Sequence, residues 1–149
     1  MLVYRITLAK YSGKLIASGR AARWNPNEVE MIYTASSRSL ACLENVVHRD
    51  KLGLSLVFNI LTIECPDAIE IKTVQLKNLP ANWIDFDQMY LTQKIGEDWV
   101  KNNRSAILQV PSSIVSEEVN YLINPKHPDF GRIKIMKTQP FVFDSRIKL

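Results

Sequence analysis

The chain has 149 residues, 46% hydrophobic and 23% charged, with a formal net charge of +4. This is the size and composition of one globular domain, 1–149, with a real core. It excludes a transmembrane helix, since no apolar run reaches the roughly 18 residues required, and a cysteine framework, since Cys42 and Cys65 fit no disulfide or metal-ligand spacing.

The elements are expected in the following order. Strand patterns rich in Val, Ile and aromatic residues cover Leu2–Leu8, Met31–Ala35, Leu54–Glu64, Ile69–Leu76, Ala106–Pro111, Ile133–Lys137 and Pro140–Phe143. A first helix is predicted from about Ser39 to Lys51, with Ser37 or Ser39 as N-cap and Gly53 beyond its end. A second runs from about Asp87 to Lys101, with Asp85 or Asp87 as the start signal, and a short third begins at Ser116. Strands dominate and helices interrupt them irregularly, which predicts α+β with mixed or antiparallel sheets. Met1-Leu2-Val3-Tyr4-Arg5 reads as a strand rather than a signal peptide, so a reduced, cytoplasmic chain is expected.

Charge is unevenly placed. Residues 1–24 hold five bases and no acid, residues 25–124 eight bases and thirteen acids, and residues 125–149 six bases and two acids. Basic ends on an acidic middle suit phosphates or an acidic partner, or are simply a solvated surface. No Lys/Arg run resembles a nucleic-acid arm, so direct nucleic-acid binding is not expected.

Five residues carry chemistry. In the first helix Leu40, Leu43 and Val47 are read as the buried stripe, which puts Glu44 at its edge, about 40° from Leu40. A half-buried carboxylate there is either functional or paired with a cation such as Arg23. Arg23 stands where a strand end enters a turn; its guanidinium suits a diphosphate, or it stacks on Trp24 as a surface arginine. Tyr33 faces either a pocket or the core. Ser112 follows Pro111 without a Gly-x-Ser-x-Gly elbow, against a hydrolase nucleophile. Arg5 is a further basic candidate. His48 and His127 lack ligand companions, so no metal is expected, and Gly-x-Gly-x-x-Gly and P-loop patterns are absent.

In order, Tyr4-Arg5-Ile6, Ala22-Arg23-Trp24-Asn25-Pro26, Ile32-Tyr33-Thr34-Ala35, Ser39-Leu40-Ala41-Cys42-Leu43-Glu44, Val110-Pro111-Ser112-Ser113-Ile114-Val115, Asn120 to Phe130 and Pro140 to Arg146 resemble the RES domain, a bacterial toxin family named for an arginine, a glutamate and a serine. The resemblance implies Arg23, Glu44 and Ser112 as the name-giving residues and Tyr33 as the aromatic partner. It implies a fold like that of the diphtheria-type ADP-ribosyltransferases. It also implies consumption of NAD as substrate by cleavage at the nicotinamide–ribose bond, through hydrolysis or phosphorolysis, and a helix-turn-helix (Xre-type) antitoxin that covers the site and forms an oligomer with the toxin. On that reading Glu44 stabilises the ribose cation, Arg23 anchors a phosphate, Tyr33 borders the nicotinamide, and Ser112 bonds the nicotinamide or its ribose. The Asn120 to Asn124 block shapes a turn and a neighbouring helix. Two departures touch the Arg23 loop: Ala21-Ala22 replace the usual glycines, and Asn25-Pro26-Asn27-Glu28 lacks one. Alternatives are transfer of ADP-ribose to a protein, or a silent module binding RNA or protein.

Overall fold

A computed structural model describes residues 1–48 and 56–147. Seven strands form one mixed sheet: β1 (Leu2–Leu8), β2 (Ile32–Ala35), β3 (Phe58–Glu64), β4 (Ile71–Thr73), β5 (Ile107–Pro111), β6 (Val119–Ile123) and β7 (Lys134–Phe141). Their spatial order is β4-β5-β6-β2-β1-β3-β7. Among the described residues only β4 and β5 pair in parallel; the other neighbours are antiparallel. Among the described residues two α-helices accompany the sheet, α1 (Arg38–Val47) and α2 (Met89–Lys101). The α+β expectation holds, with one sheet rather than several.

The register explains a two-sided core, because directly opposed residues share a face. Val3, Ile32, Leu61, Ile63, Ile107 and Ile123 are buried on one face. On the other, Tyr33, Leu122 and Leu108 line up across three strands and pack with Trp24, Trp83 and Trp99. Beside them, Ile6, Ala35, Leu40, Phe58 and Ile60 form a third cluster that includes α1. The β1–β2 ladder is short, with Tyr4 opposite Ala35 as its register pair.

Several predicted elements need correction. The helix expected at Ser116 is absent: residues 113–118 form turns, and Val119–Ile123 is a central strand paired on both sides. Acidic first-turn residues favoured a helix locally, but the run Val-Asn-Tyr-Leu-Ile pairs with both β2 and β5, and tertiary pairing wins. Asn120 therefore lies in a strand, whereas Asn124 does shape a turn, its Oδ1 accepting from the Lys126 N–H at 3.0 Å. Ile133–Lys137 and Pro140–Phe143 are not two strands; one strand, β7, spans the gap and ends at Phe141. The segment predicted as Ile69–Leu76 shrinks to three strand residues. Helix α2 starts at Met89 after a 3-10 turn, Phe86–Gln88, and neither Asp85 nor Gln88 makes a side-chain cap. At α1 the cap is Ser37, whose Oγ accepts from the Leu40 N–H at 3.1 Å. Lys51, Gly53 and the predicted strand start at Leu54 lie outside the described residues.

The stripe predicted on α1 is also displaced. Leu40 is buried, but Leu43 is 39% and Val47 56% exposed. The inward face instead runs through Ala41, Glu44 and Asn45, with Asn45 Nδ2 donating to the Ile6 carbonyl at 3.0 Å. Counting Leu40 as part of that face, Glu44 lies about 30° from its midline, and Val47 and Leu43 roughly 90° and 130° from it. Polar anchors on α1 set its rotation, which the apolar spacing alone did not disclose.

Candidate active site

Arg23 is carried by a short loop closed by a bridge between Ala22 and Asn25. Three consecutive carbonyls of this loop rest on α2. Gln93 Nε2 donates to the Ala22 oxygen at 2.9 Å, Thr92 Oγ1 donates to the Arg23 oxygen, and the Trp24 oxygen sits against Gly96, where a Cβ would lie 1.7 Å away. Only glycine lets the backbones approach so closely. The other side of the loop is tied to β2: the Trp24 N–H donates to the Tyr33 hydroxyl at 3.0 Å, and that hydroxyl donates to Asn25 Oδ1 at 2.6 Å.

The Arg23 guanidinium donates to the carbonyls of Trp83 at 3.3 Å and Ile84 at 2.9 Å. It does not stack on Trp24, whose ring packs on Trp83 at 5.9 Å between centroids. Partial burial lowers its pKa from the ordinary arginine value, while Tyr33, Asp85 and Glu44 oppose that shift. Glu44 is therefore in the electrostatic neighbourhood of Arg23, with no ion pair between them among the described residues. Burial also pushes the Tyr33 phenol well above its ordinary range.

Ser112 is fully buried at the end of β5. Its Oγ donates to Glu44 Oε1 at 2.8 Å and accepts from the N–H groups of Ile114 at 3.1 Å and Val115 at 3.2 Å. The single hydroxyl proton is thus committed to the carboxylate. Arg23, Tyr33, Glu44 and Ser112 form one neighbourhood. Arg5 touches it only through the backbone, donating to the Tyr33 carbonyl at 2.8 Å. Strand alternation sets Arg5 on the face of Val3 rather than that of Tyr4 and Ile6, and burial lowers its pKa. Among the described residues it has no carboxylate partner.

A groove of about 350 Å³ runs beside the site, lined by Trp83, Ile84, Ser113 and Ile114 among others. A larger one, about 450 Å³, lies between Leu56–Phe58 and Pro140–Asp144. His127 caps a 3-10 turn, its Nδ1 accepting from the Asp129 N–H at 3.0 Å. Among the described residues no group of three His, Cys, Asp or Glu gathers to hold a metal, and no helix is long and apolar enough to cross a membrane. Sequence reading missed the supporting residues Asn25, Thr92, Gln93 and Gly96. A glycine inside a helical pattern was the one available signal, since it often marks close backbone approach.

Residues 2–144 match the RES domain. A Sphingobium protein named Prs ADP-ribosylating toxin is 41% identical over 91% of this chain and 84% of its own length. Proteins named Toxin Res are similar as well: that of Yersinia enterocolitica is 35% identical over 99% of this chain and all of its own length, and that of Photorhabdus laumondii 34% over 99% and 97%. The fold resembles a chain in the crystal structure of the M. tuberculosis MbcT–MbcA toxin–antitoxin complex, with a TM-score of 0.74, 19% identity, and coverage of 95% of this chain and 84% of that one. With a family match across nearly its whole length and relatives named Toxin Res covered almost end to end, the chain belongs to the RES domain family of toxins.

Proposed function

We propose that this chain is the toxin of a toxin–antitoxin pair and depletes NAD by breaking the nicotinamide–ribose bond. The observation that carries the reading is the Ser112–Glu44 bond, which fixes a carboxylate within electrostatic reach of Arg23. Loss of nicotinamide leaves positive charge on the ribose, and a preorganised carboxylate stabilises it, as in glycoside cleavage. Glu44 takes that role. Arg23 spends two donors on the Trp83 and Ile84 carbonyls; its remaining donors, or a rearranged fork, anchor the diphosphate and limit the poses of NAD. Tyr33 offers its ring as a wall for the nicotinamide. Ser112, buried and committed, acts by holding Glu44 rather than by touching substrate. Arg5, on the opposite face of the sheet, acts on the site only through the Tyr33 backbone, whose carbonyl its guanidinium holds at 2.8 Å. NAD is the substrate, no metal takes part, and the site of action is the cytoplasm. The architecture is read as a variant of the diphtheria-type ADP-ribosyltransferase fold.

Nicotinamide release from NAD by the purified chain, with and without phosphate and beside Glu44→Ala, tests this. Release that depends on Glu44 supports the enzyme, and a phosphate requirement separates phosphorolysis from hydrolysis. No release from a folded, antitoxin-free sample sinks it.

A second reading, transfer of ADP-ribose to a protein, is favoured by the relative at 41% identity, whose name states that activity. Label from NAD on one protein band, without free nicotinamide beyond that stoichiometry, distinguishes it. The partner is an Xre-type helix-turn-helix antitoxin; the fold neighbour was solved as a toxin–antitoxin complex. If co-expression of the adjacent gene product neither restores growth nor yields a complex, that partner assignment is wrong.

A further inference from the structure

We infer that Asn25 is a positioning residue of this site: its amide ties the Tyr33 hydroxyl to the Arg23 loop, so that Tyr33 serves as a strut and a ring and not as a proton donor to substrate. The inference rests on the NAD-cleaving reading above.

Asn25 is 2% exposed, and its amide orientation follows from its partners. Nδ2 faces three carbonyl oxygens, those of Arg20 at 2.9 Å, Val29 at 2.9 Å and Pro26 at 3.2 Å. Carbonyls only accept, so the NH₂ group must be on that side, leaving Oδ1 toward Tyr33. A phenol has one proton, and Tyr33 gives it to Oδ1 at 2.6 Å. The same hydroxyl accepts the Trp24 N–H at 3.0 Å. One phenolic oxygen therefore grips the two residues that directly follow Arg23, while α2 holds the carbonyls of Ala22 and Arg23 from the other side. Arg23 cannot shift relative to β2 without breaking both phenolic bonds. Protonating a leaving group from Tyr33 would likewise break the Asn25 bond and leave a phenolate in a buried place, which burial already disfavours.

Asn25→Ala, Tyr33→Phe and the double variant are compared with wild type in two assays: kcat and KM for nicotinamide release, and trypsin cleavage after Arg20 and Arg23 in the absence of NAD. If Tyr33 is a strut, Tyr33→Phe raises KM for NAD about 10-fold while kcat stays within about 3-fold, as expected when binding geometry rather than a chemical group is lost. Cleavage of the loop accelerates, and the double variant matches Asn25→Ala alone within about 3-fold, since the two residues act through one bond. A kcat loss of about 100-fold at unchanged KM in Tyr33→Phe, or additive effects in the double variant, overturns the inference. If wild type releases no nicotinamide, the NAD reading fails by itself; the trypsin arm still decides, and unchanged cleavage in Tyr33→Phe overturns the strut. Should Asn25→Ala fail to fold, Tyr33→Phe, which removes one oxygen, carries both arms.

Discussion

Ser112 and Glu44 are 68 positions apart in sequence and meet through one hydrogen bond, Oγ to Oε1 at 2.8 Å. That bond joins the end of β5 to the inward face of α1, and it turns a helix side chain into a fixed carboxylate. Two substitutions separate its structural from its chemical contribution. Ser112→Ala removes the bond and strands the N–H groups of Ile114 and Val115, a loss of about 1–3 kcal/mol in stability. Turnover is expected to fall roughly 10- to 100-fold because Glu44 is no longer held. Glu44→Gln keeps an acceptor for Ser112, so the melting temperature stays near wild type while NAD turnover falls by about 100-fold or more and binding changes little. Equal losses in turnover and binding would mean that Glu44 mainly binds.

Gly96 is the contact on which the Arg23 loop depends. A Cβ there would meet the Trp24 oxygen at 1.7 Å, with Met31 also close, whereas nothing lies within 4 Å of a Cβ at Gly131. Gly96→Ala should cost about 2–4 kcal/mol by overpacking backbone against backbone, and Gly131→Ala should be near neutral. Urea unfolding of both variants checks this; similar midpoints would show that α2 shifts without penalty.

Glu28 takes a left-handed conformation, φ +71°, in the turn that follows the Arg23 loop. Its N–H donates to the Gly19 carbonyl at 2.7 Å, so the turn is fixed. Relief of the left-handed penalty, set against the greater chain entropy of glycine, predicts that Glu28→Gly stabilises by about 0.5 kcal/mol. A thermal melt showing destabilisation would mean that the Glu28 side chain contributes more than its backbone costs.

Alkaline stability has a defined sign. Burial raises the Cys65 thiol from 9.0 to about 11, and it raises the Tyr33 phenol from 10.0 to beyond that. In both cases the unfolded chain loses its proton first, so the native state holds more protons and stability falls as pH rises. The stability linked to Cys65 is fully present below pH 9 and is lost as pH climbs to about 11; that of Tyr33 is lost from pH 10 upward. Denaturant midpoints measured from pH 8 to 11 should decline, and Cys65→Ala should flatten the slope between 9 and 11. An unchanged slope would mean that Cys65 does not drive it.

The sequence alone determined strands such as β1, the Ser-capped first helix and the candidate residues of the site, because these depend on local signals. Leu2–Leu8 shows strand propensity within seven residues, Ser37 reaches a backbone N–H three positions on, and the blocks around Arg23, Tyr33, Glu44 and Ser112 are contiguous. Tertiary structure decided what those signals cannot reach. Val119–Ile123 became a central strand because β2 and β5 both needed a partner. Glu44 moved from the edge of its helix face toward the midline because Ser112, far along the chain, holds it there. The hydroxyls of Tyr33 and Ser112, open in the sequence to any role, are committed to Asn25 and Glu44. A hydroxyl has one proton to give, and only the folded chain determines which acceptor stands closest to it.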